Sequence, residues 1–185
     1  MSKSTKITVF GSSKPVPGQE AYKQAFQLGD MIGEAGYSVL TGGYMGTMEA
    51  VSQGCAAAGG HVIGVTCEEI EQWRPIGANP WVQEEIRCPT LRERLAILID
   101  QCDAAIALPG GAGTFAEIAL MWNQLQTQSI SLRPLILVGK QWKTVLHTLE
   151  VEAGAYITTQ HMELLTFAND VKEAWKLAKT QLGNV

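Results

Sequence analysis

Unbroken apolar runs rich in β-branched residues recur along the chain, separated by segments whose apolar residues lie three or four positions apart. The runs occupy residues 6–10, 37–42, 61–66, 103–109 and 133–139. Unbroken runs are typical of strands covered on both faces, whereas the spacing of Ala21, Ala25 and Leu28 is typical of an amphipathic helix. Regular alternation of strand and helix predicts an α/β three-layer sandwich with a mostly parallel sheet and right-handed crossovers.

Two other segments are interpreted differently. Residues 68–89 show little periodicity and are interpreted as a long excursion that forms a lid or a subunit contact. Asn169 and Asp170 are predicted to cap a last amphipathic helix, because their side chains accept hydrogen bonds from free helical N–H groups.

Composition narrows the class of protein. The chain has 185 residues, 46% hydrophobic and 17% charged, which predicts a single domain over residues 1–185. A net charge of −4 without a cluster of Lys and Arg argues against nucleic acid and anionic membranes as partners. No apolar stretch approaches the ~18 residues of a membrane span, and no leader pattern is present, so we expect a cytoplasmic protein.

The cysteines are scattered and lack zinc-ligand spacing. Cys55, Cys67, Cys88 and Cys102 form no C-x-x-C pair. We therefore expect reduced, mostly buried thiols and no metal site.

Three glycine-rich turns follow predicted strands. Since the carboxyl ends of parallel strands meet at one edge of a sheet, these turns should converge there. Glycine lets backbone N–H groups approach an anion closely, and a following helix start adds partial positive charge, so a phosphate site is predicted. Tight turning alone is the alternative explanation. The predicted phosphate-binding residues are Gly11, Ser12, Ser13, Gly42, Gly43, Gly46, Gly110, Gly111, Gly113 and Thr114.

Two common phosphate motifs do not fit this sequence. Residues 111–116 match G-x-G-x-x-A, but the next predicted strand ends at Val138-Gly139-Lys140, without the carboxylate that a dinucleotide ribose requires. The Gly-Lys-Ser/Thr of a Walker loop is absent from the sequence.

A T-x-x-E pattern begins two of the predicted helices, at Thr90–Glu93 and at Thr114–Glu117. Both predict a capping box, in which hydroxyl and carboxylate satisfy the first N–H groups of a helix. For Glu117 a chemical role remains the alternative, because a carboxylate beside a phosphate loop is electrostatically unfavourable. Arg94 is predicted at the margin of the core, where a solvated arginine is the competing interpretation.

Together these residues resemble the LOG ("lonely guy") family. The motifs are V-F-G-S-S (9–13), G-G-Y-M-G-T-M-E-A (42–50), L-R-E-R (91–94) and P-G-G-A-G-T-F-A-E (109–117), within a resemblance that covers residues 7–125. It implies a Rossmann-like fold, a homodimer, and metal-free hydrolysis of the N-glycosidic bond of a nucleoside 5′-monophosphate such as AMP or an N6-modified AMP. It implies no cofactor.

The resemblance also implies roles for individual residues. Arg94 and Glu117 match the family's catalytic arginine and glutamate, and Arg94 would pair with phosphate or ribose and hold Glu117 ionised. A pyridoxal-dependent decarboxylase is disfavoured, because no lysine lies in any of these motifs. Leu95, Ala112 and Ala116 depart from the plant-type pattern, which keeps a non-hydrolytic carrier resembling molybdenum-cofactor carriers as the alternative function.

Two further expectations concern contacts of this site and of the chain. Base contacts are expected from residues 68–89, Met45, Met48 and Trp122. The homodimer is expected to use the helix after the glycine loop, because its residues Met121, Trp122 and Leu125 add more apolar surface than one helix face needs.

Overall fold

A computed structural model describes residues 4–183, which form one seven-stranded parallel sheet with helices on both faces. The strands are β1 (Lys6–Phe10), β2 (Ser38–Thr41), β3 (Val62–Cys67), β4 (Glu84–Cys88), β5 (Ala104–Ala107), β6 (Leu135–Val138) and β7 (Thr166–Ala168). The α-helices are α1 (Glu20–Glu34), α2 (Thr47–Ala57), α3 (Glu68–Trp73), α4 (Leu91–Asp100), α5 (Ala112–Gln126), α6 (Lys140–Ala153), α7 (Thr159–Met162) and α8 (Val171–Leu182). A 3-10 turn at Gly154–Tyr156 follows α6.

The strand order, β4-β3-β2-β1-β5-β6-β7, reverses direction at β1. Ile7 of β1 pairs with Val39 of β2 on one side and with Ala104 of β5 on the other. At such a switch point the loops after neighbouring strands diverge to opposite faces of the sheet and leave a crevice outside the carboxyl ends. The predicted Rossmann-like three-layer fold is therefore confirmed.

Alternating strand residues pack into two apolar layers, one on each face of the sheet. Ile7 and Val9 pack with α1, α2 and α8, whereas Phe10 packs with α4, α5 and α6. The five strands predicted from unbroken apolar runs are all present, with burial on both faces as expected. Asp170 caps α8 as predicted, since its carboxylate accepts hydrogen bonds from the backbone N–H groups of Lys172 and Glu173.

Two strands were missed by the sequence pattern. β4 lies inside the predicted excursion and contains two glutamates and an arginine, because it is an edge strand whose side chains are mostly exposed. β7 has three residues and forms the opposite edge, too short for a periodic signal.

The apolar residues of α5 fill the core. Met121, Trp122 and Leu125 are 0%, 8% and 2% exposed and pack in the layer between α5 and the sheet. The expectation that they form a dimer face is therefore wrong, because all three lie on the one face of α5 that packs against the rest of its own chain. All four cysteines are free and buried, as predicted.

Among the helices of residues 4–183, none combines the length and the apolar character that a membrane crossing needs.

Candidate active site

A cavity of about 340 Å³ lies at the switch point between β1 and β5. It brings together residues that the sequence analysis had assigned from separate segments. Those that line it are Gly11, Ser12, Ser13, Arg94, Gly111, Gly113, Thr114 and Glu117. Their roles stay predictions, but their convergence around one cavity is a property of the fold.

The side of the cavity that is predicted to bind phosphate is built by the loop after β1 and the start of α5. Gly111 is the N-cap of α5 in extended conformation, and its carbonyl accepts the first helical hydrogen bond, from Phe115 N, at 3.0 Å. The N–H groups of Ala112, Gly113 and Thr114 therefore precede the helical hydrogen-bond ladder and are available to an anion. Helix α5 runs for 15 residues, so its dipole reinforces this end.

The predicted capping box at Thr114–Glu117 is wrong. Because α5 begins at Ala112, Thr114 already lies within the first turn and Glu117 within the second, and the helix has a glycine N-cap without a side-chain cap. Ala112 is a strong helix former and Gly113 adopts helical backbone at a modest cost, so the helix begins two residues before the threonine. The carboxylate of Glu117 is consequently free of any capping duty.

The first turn of α4 holds Arg94. Thr90 caps this helix as predicted, with its hydroxyl accepting from Glu93 N at 3.2 Å. Arg94 is 5% exposed, so it lies inside the cavity wall rather than at the core margin. Its Nε donates to the carbonyl of Val65 at 2.7 Å, which fixes the plane of the guanidinium.

The terminal nitrogens of Arg94 face the cavity with weaker partners. Nη1 lies 3.8 Å from Oε1 of Glu117 and Nη2 lies 4.0 Å from the sulfur of Met48. The guanidinium carbon is 5.8 Å from the ring centre of Tyr44, within cation–π range. These long contacts leave Arg94 with hydrogen-bonding capacity for a bound anion.

Glu117 is a buried carboxylate with an altered acidity. Its side chain is 8% exposed, and burial raises its pKa to about 7 while the nearby Arg94 guanidinium acts in the opposite direction. Arg94 acts in the direction expected, favouring the ionised form of Glu117, but desolvation outweighs an ion pair that is 3.8 Å long, so the net shift of the Glu117 pKa is upward. A carboxyl group poised near neutrality can both give and take a proton.

The remaining predicted glycines hold the turns instead of lining the cavity. A side chain at Gly42 would overlap Nη2 of Arg94, and one at Gly46 (φ +77°) would overlap the backbone of Ser12 and Ser13. Gly43 takes φ +75°, and Gly110 exchanges two hydrogen bonds with the side chain of Gln141.

Six more residues line the cavity: Lys14, Tyr44, Ile70, Trp73, Arg74 and Leu91. Ile70, Trp73 and Arg74 lie within residues 68–89, from which base contacts were expected, although no signal singled them out. Lys14, Tyr44 and Leu91 had no predicted site role, because each lies inside a segment whose glycines, serines or arginine carried the prediction. Of the residues expected around a base, Met48 lines the cavity, whereas Nε1 of Trp122 donates to the carbonyl of His161 at 2.7 Å, away from it.

One known protein family matches most of this chain. The SLOG cluster4 family matches residues 4–166, which covers both sides of the cavity. The chain belongs to the SLOG cluster4 family. The resemblance to LOG proteins is thereby confirmed.

Individual relatives carry two kinds of name. The chain is 28% identical over 179 residues to a cytokinin riboside 5′-monophosphate phosphoribohydrolase of Mycobacterium tuberculosis, covering 91% of this chain and 90% of that protein. It is 36% identical over 126 residues to a probable enzyme of the same name in Oryza sativa subsp. japonica, covering 65% of this chain and 50% of the rice protein. It also resembles the solved molybdenum cofactor binding protein of Rippkaea orientalis, with 26% identity, a TM-score of 0.74, and coverage of 97% and 98%.

Proposed function

We propose that this protein is a phosphoribohydrolase that cleaves the N-glycosidic bond of a nucleoside 5′-monophosphate, AMP or an N6-modified AMP, to free base and ribose 5-phosphate. The observation that carries the proposal is the buried pair of Arg94 and Glu117 beside the free N-terminus of α5. The names of the mycobacterial and rice relatives support the same reaction class.

In this proposal the 5′-phosphate binds at the start of α5 and the loop after β1. The N–H groups at residues 112–114 and the hydroxyls of Ser12 and Ser13 supply donors around one anion. Arg94 adds charge from the cavity wall. Binding energy from the phosphate would then fix the ribose against the carboxyl group of Glu117.

The proposed reaction uses Glu117 at the anomeric carbon. As the bond from C1′ to the base nitrogen breaks, its electron pair leaves with the base, and an oxocarbenium-like ribose is stabilised by the Glu117 carboxylate. Water forms the new C1′–O bond and loses a proton to Glu117, and Glu117 passes that proton on to the departing base. A Glu117 pKa of about 7 suits this proton transfer at neutral pH.

A carrier function is the alternative, and one observation favours it. The likeness to the Rippkaea orientalis molybdenum cofactor binding protein covers nearly all of both chains. The same helix start and arginine would hold the phosphate of such a ligand without any bond cleavage. The two functions therefore share a binding site and differ in what Glu117 does.

The test is to incubate the protein with AMP, an N6-isopentenyl AMP and adenosine, and to separate the products by chromatography. We expect free base and ribose 5-phosphate from the monophosphates, and much slower cleavage of adenosine, because it lacks the phosphate that orients the ribose. Nucleotide binding, seen as a rise in melting temperature, without release of any base would support the carrier instead.

A homodimer and a cytoplasmic location are further parts of the proposal. Twofold pairing is the commonest oligomeric arrangement. Light scattering at the mass of one chain, 20.0 kDa, at micromolar concentrations would contradict the dimer.

A further inference from the structure

Trp73 places an exposed indole at the rim of the cavity. Its residue is 80% exposed, yet it lines the same cavity as Arg94 and Glu117. An indole has a large apolar face, and leaving it in water forgoes the free energy that burial would provide. Its position at the rim of the cavity, and not its exposure alone, points to a bound ligand as the partner of that ring.

The backbone under Trp73 is fixed by contacts of α3 with neighbouring elements. Glu69 accepts a hydrogen bond from Leu91 N at 2.8 Å, and Glu71 forms a 2.6 Å ion pair with Arg87 of β4. Arg74 N donates to the carbonyl of Ile70 at 2.8 Å, closing the helix directly after Trp73. The indole is therefore exposed at a helix end whose position these contacts fix.

The cavity has two chemically different sides, and the strand order separates them. The loop after β1 and the start of α5, which follows β5, supply glycines and hydroxyls. The other side follows β2 and β3 and is mostly apolar or aromatic, with Tyr44, Met48, Ile70 and Trp73. Arg94 touches both sides, through Glu117 and through Met48 and Tyr44.

A nucleoside monophosphate has a matching arrangement of charged and apolar parts. It has a dianion at one end, a ribose in the middle and a flat heterocycle at the other end. With phosphate at α5 and ribose at Glu117, the heterocycle is left facing the apolar side. Arg74 also favours stacking at this position. Its guanidinium carbon lies 5.7 Å from the ring centre of Trp73, and a planar, delocalised cation can itself stack on an aromatic ring.

We propose that Trp73 is the base-stacking platform of this site, so that the ligand class is an aromatic heterocycle attached to a phosphorylated ribose. This inference rests on the proposed function for the position of the phosphate. Stacking recognises any flat base, so Trp73 would contribute affinity, and the residues around it would select among bases.

The test compares AMP with ribose 5-phosphate, which lacks the base, by titration calorimetry on parent, Trp73→Ala and Trp73→Phe. We expect Trp73→Ala to weaken AMP binding about tenfold or more and to leave ribose 5-phosphate binding unchanged, since only AMP has a ring to stack. Trp73→Phe should recover most of the AMP affinity.

Trp81→Ala is the matched control. Trp81 lies on the same segment and is 36% exposed, but it is outside the described set of residues that line the cavity, so both affinities should stay at the parent values. An unchanged AMP affinity in Trp73→Ala, or an equal loss for AMP and ribose 5-phosphate, would overturn the stacking proposal. So would a change in molecular mass on light scattering, which would make Trp73 a contact between copies.

The two proposals fail separately. If the parent releases adenine while Trp73→Ala has an unchanged KM and AMP affinity, the platform is wrong and the hydrolase stands. If Trp73→Ala loses AMP affinity selectively while the parent releases no base, the platform stands and hydrolysis is wrong. A parent that binds no AMP overturns both.

Discussion

Two T-x-x-E segments of this chain, Thr90–Glu93 and Thr114–Glu117, have the same pattern and different structures. At Thr90–Glu93 the threonine is the N-cap of α4, and the hydroxyl both accepts from Glu93 N and donates to the Glu93 carboxylate at 3.0 Å. At Thr114–Glu117 the helix has already begun at Ala112, so the same residue types lie inside it. The helix start, and not the motif, therefore decides whether the glutamate has a structural duty.

The surroundings of the two glutamates diverge accordingly. Glu93 is exposed beside the N-terminus that it helps to cap. Glu117 is 8% exposed, and burial raises its pKa to about 7. Burying a carboxyl group destabilises its ionised form. A carboxyl group buried in a cavity wall, with an arginine 3.8 Å away, is therefore expected to have a catalytic role.

The largest effect expected is on turnover in Glu117→Gln. The amide keeps the shape of the side chain but can carry neither the negative charge nor the proton, so base release from AMP should fall by ~10²-fold or more, equivalent to ~2.7 kcal/mol. Single-turnover assays of ribose 5-phosphate release would measure this change, and calorimetry should show that AMP still binds.

Glu93→Gln is the matched control for that experiment. It makes the same chemical change in the other T-x-x-E segment, on the helix that carries Arg94. We expect turnover within a factor of two of the parent's. Equal rates for Glu117→Gln and the parent would show that Glu117 takes no part in the reaction. The two glutamates would then not differ in function.

The next effect concerns stability as a function of pH. Glu117 has a folded pKa of about 7, above its ordinary value of 4.5, so between these values the folded state holds a proton that the unfolded state releases. The stabilisation from this group is fully present below pH 4.5 and is lost as pH rises through about 7. Glu117→Gln does not titrate and should escape that loss.

Urea denaturation at several pH values from 4.5 to 8 would measure the difference between the two proteins. We expect the unfolding free energy of Glu117→Gln relative to the parent to grow with pH and to level off above about pH 7, at a gain of at most about 3 kcal/mol. A difference that stays flat with pH would mean that Glu117 titrates normally in the folded protein.

Strands and helix starts differ in how well the sequence predicts them. Unbroken apolar runs were sufficient for β1, β2, β3, β5 and β6, because a doubly covered strand is apolar at every position. Edge strands carry exposed polar residues, so β4 with Glu84, Glu85 and Arg87 looked like part of a loop. Helix starts were predicted well where a side chain caps them and poorly at α5, where glycine does.

The candidate site divides in the same way. Glycine turns and the motif around Glu117 are local in sequence, so the phosphate side of the cavity was predicted from them. The opposite side depends on where α3 docks, and the exposure of Trp73 and the approach of Tyr44 to Arg94 arise only from tertiary packing. Local spacing carries no information about such contacts.

A smaller effect is expected from Thr90→Val. The substitution keeps the branched shape and removes the hydroxyl that accepts from Glu93 N, which leaves a helical N–H without its cap. Loss of an N-cap costs ~1 kcal/mol, so the urea midpoint should fall with an unchanged m-value. Thr90→Ser retains the hydroxyl and should restore stability; an unaffected Thr90→Val would show that water replaces the cap without cost.

The smallest effect on stability is expected from the same substitution in the other segment, Thr114→Val. Thr114 is 3% exposed and lies within the first turn of α5, whose N-cap is Gly111, so its hydroxyl has no capping bond to lose and its isosteric methyl group fits the same space. Unfolding free energies from urea titration should differ from the parent by less than ~0.5 kcal/mol. The hydroxyl lines the cavity, so the same variant should bind AMP and ribose 5-phosphate less tightly than the parent does, by equal factors, because both ligands carry the phosphate. A stability loss as large as that of Thr90→Val, with ligand binding intact, would mean that both threonines cap their helices and that the contrast between the segments does not hold.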